Sequence, residues 1–313
     1  MNTVKNVINY YFNLFPENIH QANHRFFFKY NDEKYYLVLF DRPVEQAGPL
    51  YELNIEMLKR HLLVHEIILN KDKQILTNIN NIPYVLMKVY VNEQSITKLA
   101  DVNYITTNTR MIYYNKLLDV SDWVNLWSNK IDYIEYQINQ LGTKYPNISD
   151  SISYFIGLAE NAITYVKNTY LDFKINHISD YVVSHRRIKP IDSLFDAYNP
   201  LNLVLDLRVR DLSEYIKAGI FCDKDIWGEI EQYFAYNSLT VFEYRLLFGR
   251  MLFPSFYFDI YDDILAGKVE EKELFTIINK INKYEDFLKE FYAYIRISAN
   301  IPPIEWLQDN VDT

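Results

Sequence analysis

Two short apolar runs, Tyr181-Val182-Val183-Ser184 and Leu203-Val204-Leu205, are each followed at once by a chemically active residue, His185 and Asp206. Apolar runs of strand length, bounded by turn residues, read as short buried strands. A basic turn follows the first, His185-Arg186-Arg187-Ile188-Lys189-Pro190. Residues 181–216, YVVSHRRIKPIDSLFDAYNPLNLVLDLRVRDLSEYI, therefore predict two strands at a cleft, carrying a histidine, two arginines and the carboxylates Asp192 and Asp206. On the residues alone, a solvated basic turn with Asp206 as a strand-terminal cap is an equally simple reading.

The spacing resembles the catalytic core of small-molecule kinases. There an apolar strand ends in His-x-Asp, an Asn follows, and a second strand ends in a metal-binding Asp. His185 is present, but Arg187 stands where the catalytic Asp belongs. That Asp accepts or orients the nucleophile's proton, and a guanidinium has no acceptor lone pair. Asp192 falls on the Asn position and Asp206 on the metal position. The resemblance therefore implies two candidate metal ligands, Asp206 and Asp192, and no base. A buried guanidinium needs a carboxylate partner, so Arg187 is expected to bond Asp206, Asp192 or Glu160 and to lock the site shut.

Further segments match one family in order. These are GLAENAITYV (157–166), the SHRR turn, RDLSEYIK (210–217), YRLLFGRMLFPSFYFD (244–259) and YEDFLKEF…IPPIEWL (284–307). Together they resemble the CotS/YutH group of spore-coat proteins of spore-forming Gram-positive bacteria, the YutH branch most closely. The resemblance runs through roughly residues 120–307, and residues 1–95 are only consistent with it. It implies an α+β, protein-kinase-like fold of the aminoglycoside phosphotransferase type and an association with sporulation. It does not imply a reaction, because fold does not fix function.

The two lobes expected are a β-rich one over 1–94 and a mainly helical one over 95–313. Arg25–Tyr30 and Lys34–Phe40 read as a hairpin around Asn31-Asp32-Glu33. In kinases the second of these strands carries the phosphate-holding Lys. The register places Val38 there, with Lys34 too early and Arg42 past the strand. Tyr51–Leu63 reads as a helix carrying Glu52 and Glu56, which without that Lys are surface residues. Ile75–Thr77 and Tyr84–Val91 read as a second hairpin, and 89–93 as the crossing between lobes. Ile152, Phe155, Ile156, Ala159, Ile163 and Val166 recur at helical spacing and predict a long buried helix under the catalytic turn. The resemblance implies a structural Asp211, bonding backbone amides of that turn as the later Asp does in related folds; by position it also reads as a helix N-cap with Glu214 three residues later. Glu160 is expected to pair with a basic residue of the turn or to be solvated.

Composition narrows the function classes. Only 7 glycines occur, none of them in residues 20–36, where a phosphate-cradling loop would lie. No Walker-type loop is present. A net charge of −9 argues against nucleic-acid binding. The single cysteine, Cys222, excludes an intrachain disulfide. No apolar run reaches the ~18 residues of a membrane helix, and the N-terminus lacks a signal-peptide pattern. The six histidines are scattered, His24 and His177 among them; His61 and His65 share a helical spacing, with no third ligand nearby in sequence.

Two functions remain. The first is a kinase-fold protein without phosphotransfer activity, made in the mother-cell cytoplasm and then associated with other proteins in the spore coat, needing no cofactor. The second is an atypical small-molecule phosphotransferase using ATP and Mg, with His185 or Asp192 as the base.

Overall fold

Aromatic and β-branched residues dominate 25–40, and the computed structural model folds them as the centre of an antiparallel sheet. It describes residues 2–22, 25–91, 95–141, 144–175 and 180–308. The strands are β1 (His20–Ala22), β2 (Arg25–Tyr30), β3 (Glu33–Leu39), β4 (Glu66–Ile68), β5 (Thr77–Ile79) and β6 (Ile82–Val89). They are ordered β1-β2-β3-β6-β4, with β5 also on β6. Asn31 and Asp32 turn β2 into β3 with φ of 50° and 62°, values that Asn and Asp tolerate best among residues with a side chain. The turn sets Tyr30 opposite Glu33 and hence Arg25 opposite Val38.

Alternation gives the sheet two buried faces. Phe28, Tyr35, Leu37 and Leu86 pack with Val4 and Ile8 of α1 (Asn2–Phe12). Tyr36, Val38, Val85 and Met87 face the other way and join the core that runs through the rest of the chain. The helix α2 (Ala47–Lys59) leans on β4. Its Asn54 closes the strand: Nδ2 donates to the His65 carbonyl at 2.7 Å, and Oδ1 accepts the Ile67 amide at 3.0 Å. A side chain thus takes up hydrogen-bonding capacity that an edge strand would expose.

Helices form most of the remainder. They include α3 (Leu99–Asn108), α4 (Trp123–Leu141), α5 (Pro146–Phe173), the short α6 (Leu194–Ala197), α7 (Arg210–Phe221), α8 (Trp227–Tyr236), α9 (Val241–Leu252) and α10 (Ser255–Leu265). The 28-residue α5 buries Ile152, Phe155, Ala159 and Val166. It lies close to α9 at Gly249, where a Cβ would come within 2.7 Å of a Val166 methyl. Between these helices β7 (Val182–His185) pairs antiparallel with β8 (Leu203–Asp206), His185 opposite Leu203 and Val182 opposite Asp206. All eight of these residues are buried.

Several elements differ from expectation. The helix read at 51–63 spans Ala47–Lys59, starting immediately after a turn of 3-10 helix. The second hairpin is shifted to β5 and β6 around Asn80-Asn81, both at positive φ. Helix α1, β1 and β4 were not legible as elements, being short or amphipathic without clear caps. Asp211 does not cap α7: the cap is Val209, with no side-chain bond, and Asp211 lies buried in the first turn. Residues 92–94, where the lobe crossing and the boundary at 94 were placed, lie outside the described residues, as do His24 and His177. Among the described residues no helix is long and apolar enough to cross a membrane.

Candidate functional site

At the end of β7, His185 is fully enclosed. Its Nδ1 lies 2.7 Å from Asp211 Oδ2 and its Nε2 lies 2.8 Å from the Ala197 carbonyl. The His185 amide donates to the same carboxylate at 2.9 Å. Both ring nitrogens face acceptors, so only the imidazolium satisfies both. Burial alone would strip its proton. The Asp211 charge and the hydrogen bonds outweigh this and raise the His185 pKa above its ordinary 6.5. A ring held this way has no lone pair to offer a substrate, which removes His185 as the alternative base. Asp211 fastens the turn through an amide and a ring.

Asp206, at the end of β8, has no exposed surface. Its Oδ1 accepts Trp123 Nε1 at 2.8 Å and the Leu207 amide at 2.6 Å. Its Oδ2 accepts Arg210 Nη1 at 2.5 Å. Arg210 continues to the carbonyls of His185 at 2.9 Å and Arg186 at 3.0 Å. Burial pushes the Asp206 pKa above the ordinary carboxylate value, against the pull of Arg210 and Arg250. A hard cation needs several oxygen ligands and keeps waters. Protein donors already meet both oxygens of Asp206, and a guanidinium stands where a cation would. Asp192 points elsewhere: its Oδ2 accepts the Lys189 amide at 2.7 Å and closes the turn. Among the described residues no group of three or more His, Cys, Asp or Glu could hold a metal. The expected pair of metal ligands, Asp206 and Asp192, does not fit Mg in this arrangement.

A second buried ionic group adjoins Asp206. Glu214 accepts Lys217 Nζ, Arg250 Nε and Ser255 Oγ at 2.9–3.0 Å. Arg250 lies 4.4 Å over the Trp123 ring, a cation–π contact. Burial pushes Lys217 down to about 8. Glu214 is therefore a core ion-pair partner and not half of a helix cap.

Arg187 does not enter this core. Its side chain is 44% exposed and forms a two-pronged pair with Asp259 of α10, Nε–Oδ2 2.5 Å and Nη2–Oδ1 2.7 Å. The expected partners are otherwise placed. Asp206 is taken by Arg210, four residues along the same segment. Asp192 is in its own turn, and Glu160 is exposed on α5. Arg187 sits on the rim of the site, bonds none of the expected carboxylates, and acts on Glu214 of the core only through its charge.

The seam between the sheet and the helical part closes through Phe195 of α6, which is 1% exposed. Its ring lies 4.6 Å from Tyr36 of β3 and 5.0 Å from His65. Arg25 of β2 lies 4.5 Å over the same ring and pairs with Asp196 at 2.5 Å. A planar base held between two faces needs about 7 Å, two contacts of ~3.5 Å. Tyr36 and Phe195 leave no such gap. Val38 is buried and carries no charge to a phosphate. Arg42, read as past the strand, reaches across to the Leu201 carbonyl at 3.0 Å and the Leu203 carbonyl at 2.6 Å. Arg25 and Arg42 thus reach across the seam from the sheet side and bind the other lobe. Sequence reasoning missed Phe195, Arg25, Arg42, Trp123, Arg210 and Asp259. Arg25 was recoverable, because the Asn31-Asp32 turn alone places it opposite Val38.

A family model described as spore coat putative kinase YutH matches residues 5–291. The endospore coat-associated protein YutH of Bacillus subtilis (strain 168) is 28% identical over 211 residues, covering 60% of this chain and 62% of that protein. The match thus spans less than two thirds of that relative's length. Among solved structures, an aminoglycoside phosphotransferase from Alicyclobacillus acidocaldarius superposes with a TM-score of 0.56 at 10% identity, covering 90% of this chain and 93% of that one. A spectinomycin phosphotransferase gives 0.52 at 11% identity, covering 91% and 93%. At such identities the likeness is one of fold.

Proposed function

The chain belongs to the spore coat putative kinase YutH family, and from that premise we propose that it is a coat-associated pseudokinase, a kinase-fold protein that transfers no phosphate and works by binding other coat proteins. It would be made in the mother-cell cytoplasm and join the coat afterwards. The observation that carries the reading is that Trp123, Leu207 and Arg210 donate to both oxygens of Asp206 and leave none of its surface exposed. Phosphoryl transfer in this fold depends on metal ions that neutralise developing charge, and a carboxylate met by three donors is a poor ligand. The contact of Tyr36 with Phe195 and the replacement of the base position by Arg187 point the same way.

The test is melting with ATP and Mg, ADP and Mg, and no ligand. Anything that binds the folded state raises its stability. The expected result is three superimposed curves, with no ATP-dependent phosphorylation of aminoglycosides, sugars, choline or the protein itself. Turnover that Asp206→Ala abolishes would overturn the reading in favour of an ATP- and Mg-dependent phosphotransferase.

A further inference from the structure

A cavity of about 700 Å³ opens beside β7 and the segment that follows β8. Val182, Leu207, Leu239, Phe242 and Leu246 supply an apolar lining. Cavities of roughly 300–1,000 Å³ with apolar walls and a few polar groups are the usual form of small-molecule sites. His185, Asp206, Arg210, Asp211 and Phe195 do not line it; Leu207, whose amide bonds Asp206, turns its side chain to the cavity and joins the two regions.

Two guanidinium groups stand in this cavity, and they differ. Arg110 forms a two-pronged pair with Asp180, at 2.7 Å through Nε and 2.5 Å through Nη2. Arg208 is held more loosely. Its nearest acceptors are the Ser238 carbonyl at 3.2 Å, Asn237 Oδ1 at 3.4 Å and Glu243 Oε1 at 3.6 Å. Glu243 cannot swing to meet it without cost, because its Oε2 accepts the Thr240 amide at 2.7 Å in the cap of α9. An arginine has five N–H donors in a planar fork suited to a carboxylate. The Arg208 side chain is 30% exposed, within reach of an incoming group. Asp180 is paired with Arg110, and Glu243 Oε1 is the ion-pair partner of Arg208 at 3.6 Å, so an incoming carboxylate competes with Glu243 for the guanidinium.

We propose that this cavity binds a small carboxylic acid with an apolar body, the carboxylate on Arg208 and the body against Leu239, Phe242 and Leu246. The head group decides orientation and the walls contribute area. Ligands sharing the tail and differing in the head therefore separate the two contributions.

The experiment uses the full chain with decanoate, decan-1-ol and decylamine, by calorimetric titration and thermal shift. Decanoate should bind at one site and raise the melting temperature. Decan-1-ol should bind about tenfold more weakly, and so should decanoate to Arg208→Gln, the effect of losing one charge-assisted contact. Arg208→Gln should leave decan-1-ol binding unchanged. Leu239→Trp, which fills the cavity from a half-buried position, should abolish binding of both. Arg208→Gln alters a partly exposed side chain and decides alone if the tryptophan variant does not fold. Equal binding of all three probes, undiminished decanoate binding to Arg208→Gln, or no binding of decanoate overturns the proposal.

Discussion

The seam between the lobes and the ionic core beneath it close the same cleft by different physics. At the seam, Phe195 fills the space with apolar contact to Tyr36 and His65, and Arg25 covers its ring. In the core, Asp206, Arg210, Asp211 and His185 remain charged or polar and are satisfied by one another. Apolar closure is graded, since each methylene removed costs a roughly proportional amount. Ionic closure is not. A buried charge is tolerable only while its partner is present, and a lone survivor is costly. The core should therefore respond to single substitutions more steeply than the seam.

Asp206→Ala gives the sharpest test of this contrast. It strands Arg210, whose side chain is 8% exposed, with only backbone carbonyls and with Arg250 nearby. The expected loss is ~3–5 kcal/mol of unfolding free energy, read from a urea titration. A loss below ~1 kcal/mol would mean that water reaches the site and that Asp206 is open to a cation after all.

Phe195→Ala should rank next, at about 3 kcal/mol, because the lobes can settle partly into the space left. The same variant asks whether the seam is a plug. With the ring gone, Tyr36, His65 and Arg25 bound a slot with aromatic and guanidinium walls, and adenosine should now raise the melting temperature of the variant and not of the wild type. If adenosine stabilises both proteins equally, Phe195 does not exclude it.

Acid–base behaviour sharpens the comparison further through the His185–Asp211 pair of the core. The His185 pKa is raised in the folded state. Its contribution is complete below the unfolded value near 6.5 and is lost as pH rises through the folded value. Lys217 acts in the opposite sense. Pushed down to about 8 from 10.5 by burial, it holds a proton more readily in the unfolded chain, so stability returns as pH climbs from about 8 towards 10.5. Stability should therefore fall above pH ~6.5 and recover above ~8. Asp211→Asn should remove the fall and keep the recovery. A wild-type profile that is flat from about pH 6 to 8 would mean that the ring is neutral.

What could be read in advance follows the range of the forces involved. The strands β2, β3, β7 and β8 and the buried face of α5 were legible because alternation and helical spacing are local. So was the Asn31-Asp32 turn, whose backbone conformation follows from its residue types. Asp211 could be placed as a structural acid only through the resemblance to related folds, and the helix cap its position suggested is not formed. The partners of Asp206 could not be placed, since Trp123 lies 83 residues away and its indole reveals nothing in sequence. Arg210 was hidden differently: Arg186, Arg187, Arg208 and Arg210 all lie near Asp206 in sequence, and only the direction of α7 decides which guanidinium turns inward. The seam residue Phe195 reads as an ordinary apolar residue until β3 is laid over it.

Arg187 is the smallest effect and the finest test. It and Arg210 are the same residue type, one just after β7 and the other just after β8, yet Arg187 is 44% exposed and Arg210 8%. Exposed pairs contribute little, because water screens them and two long side chains must be held still. Arg187→Ala should therefore cost only ~0.5 kcal/mol despite its good two-pronged geometry with Asp259, and the difference should shrink further in 1 M salt, where screening is ~3 Å. Arg187→Asp puts a carboxylate back at the position of the missing base and beside Asp259. It should destabilise slightly more by like-charge repulsion, and should not create phosphotransfer, because Asp206 stays buried and bonded to Arg210. A loss with Arg187→Ala as large as that with Asp206→Ala would place Arg187 in the closed core and erase the distinction between rim and interior. Phosphorylation by Arg187→Asp in the presence of ATP and Mg would show that the base was the only missing part and that the ionic core yields to a metal.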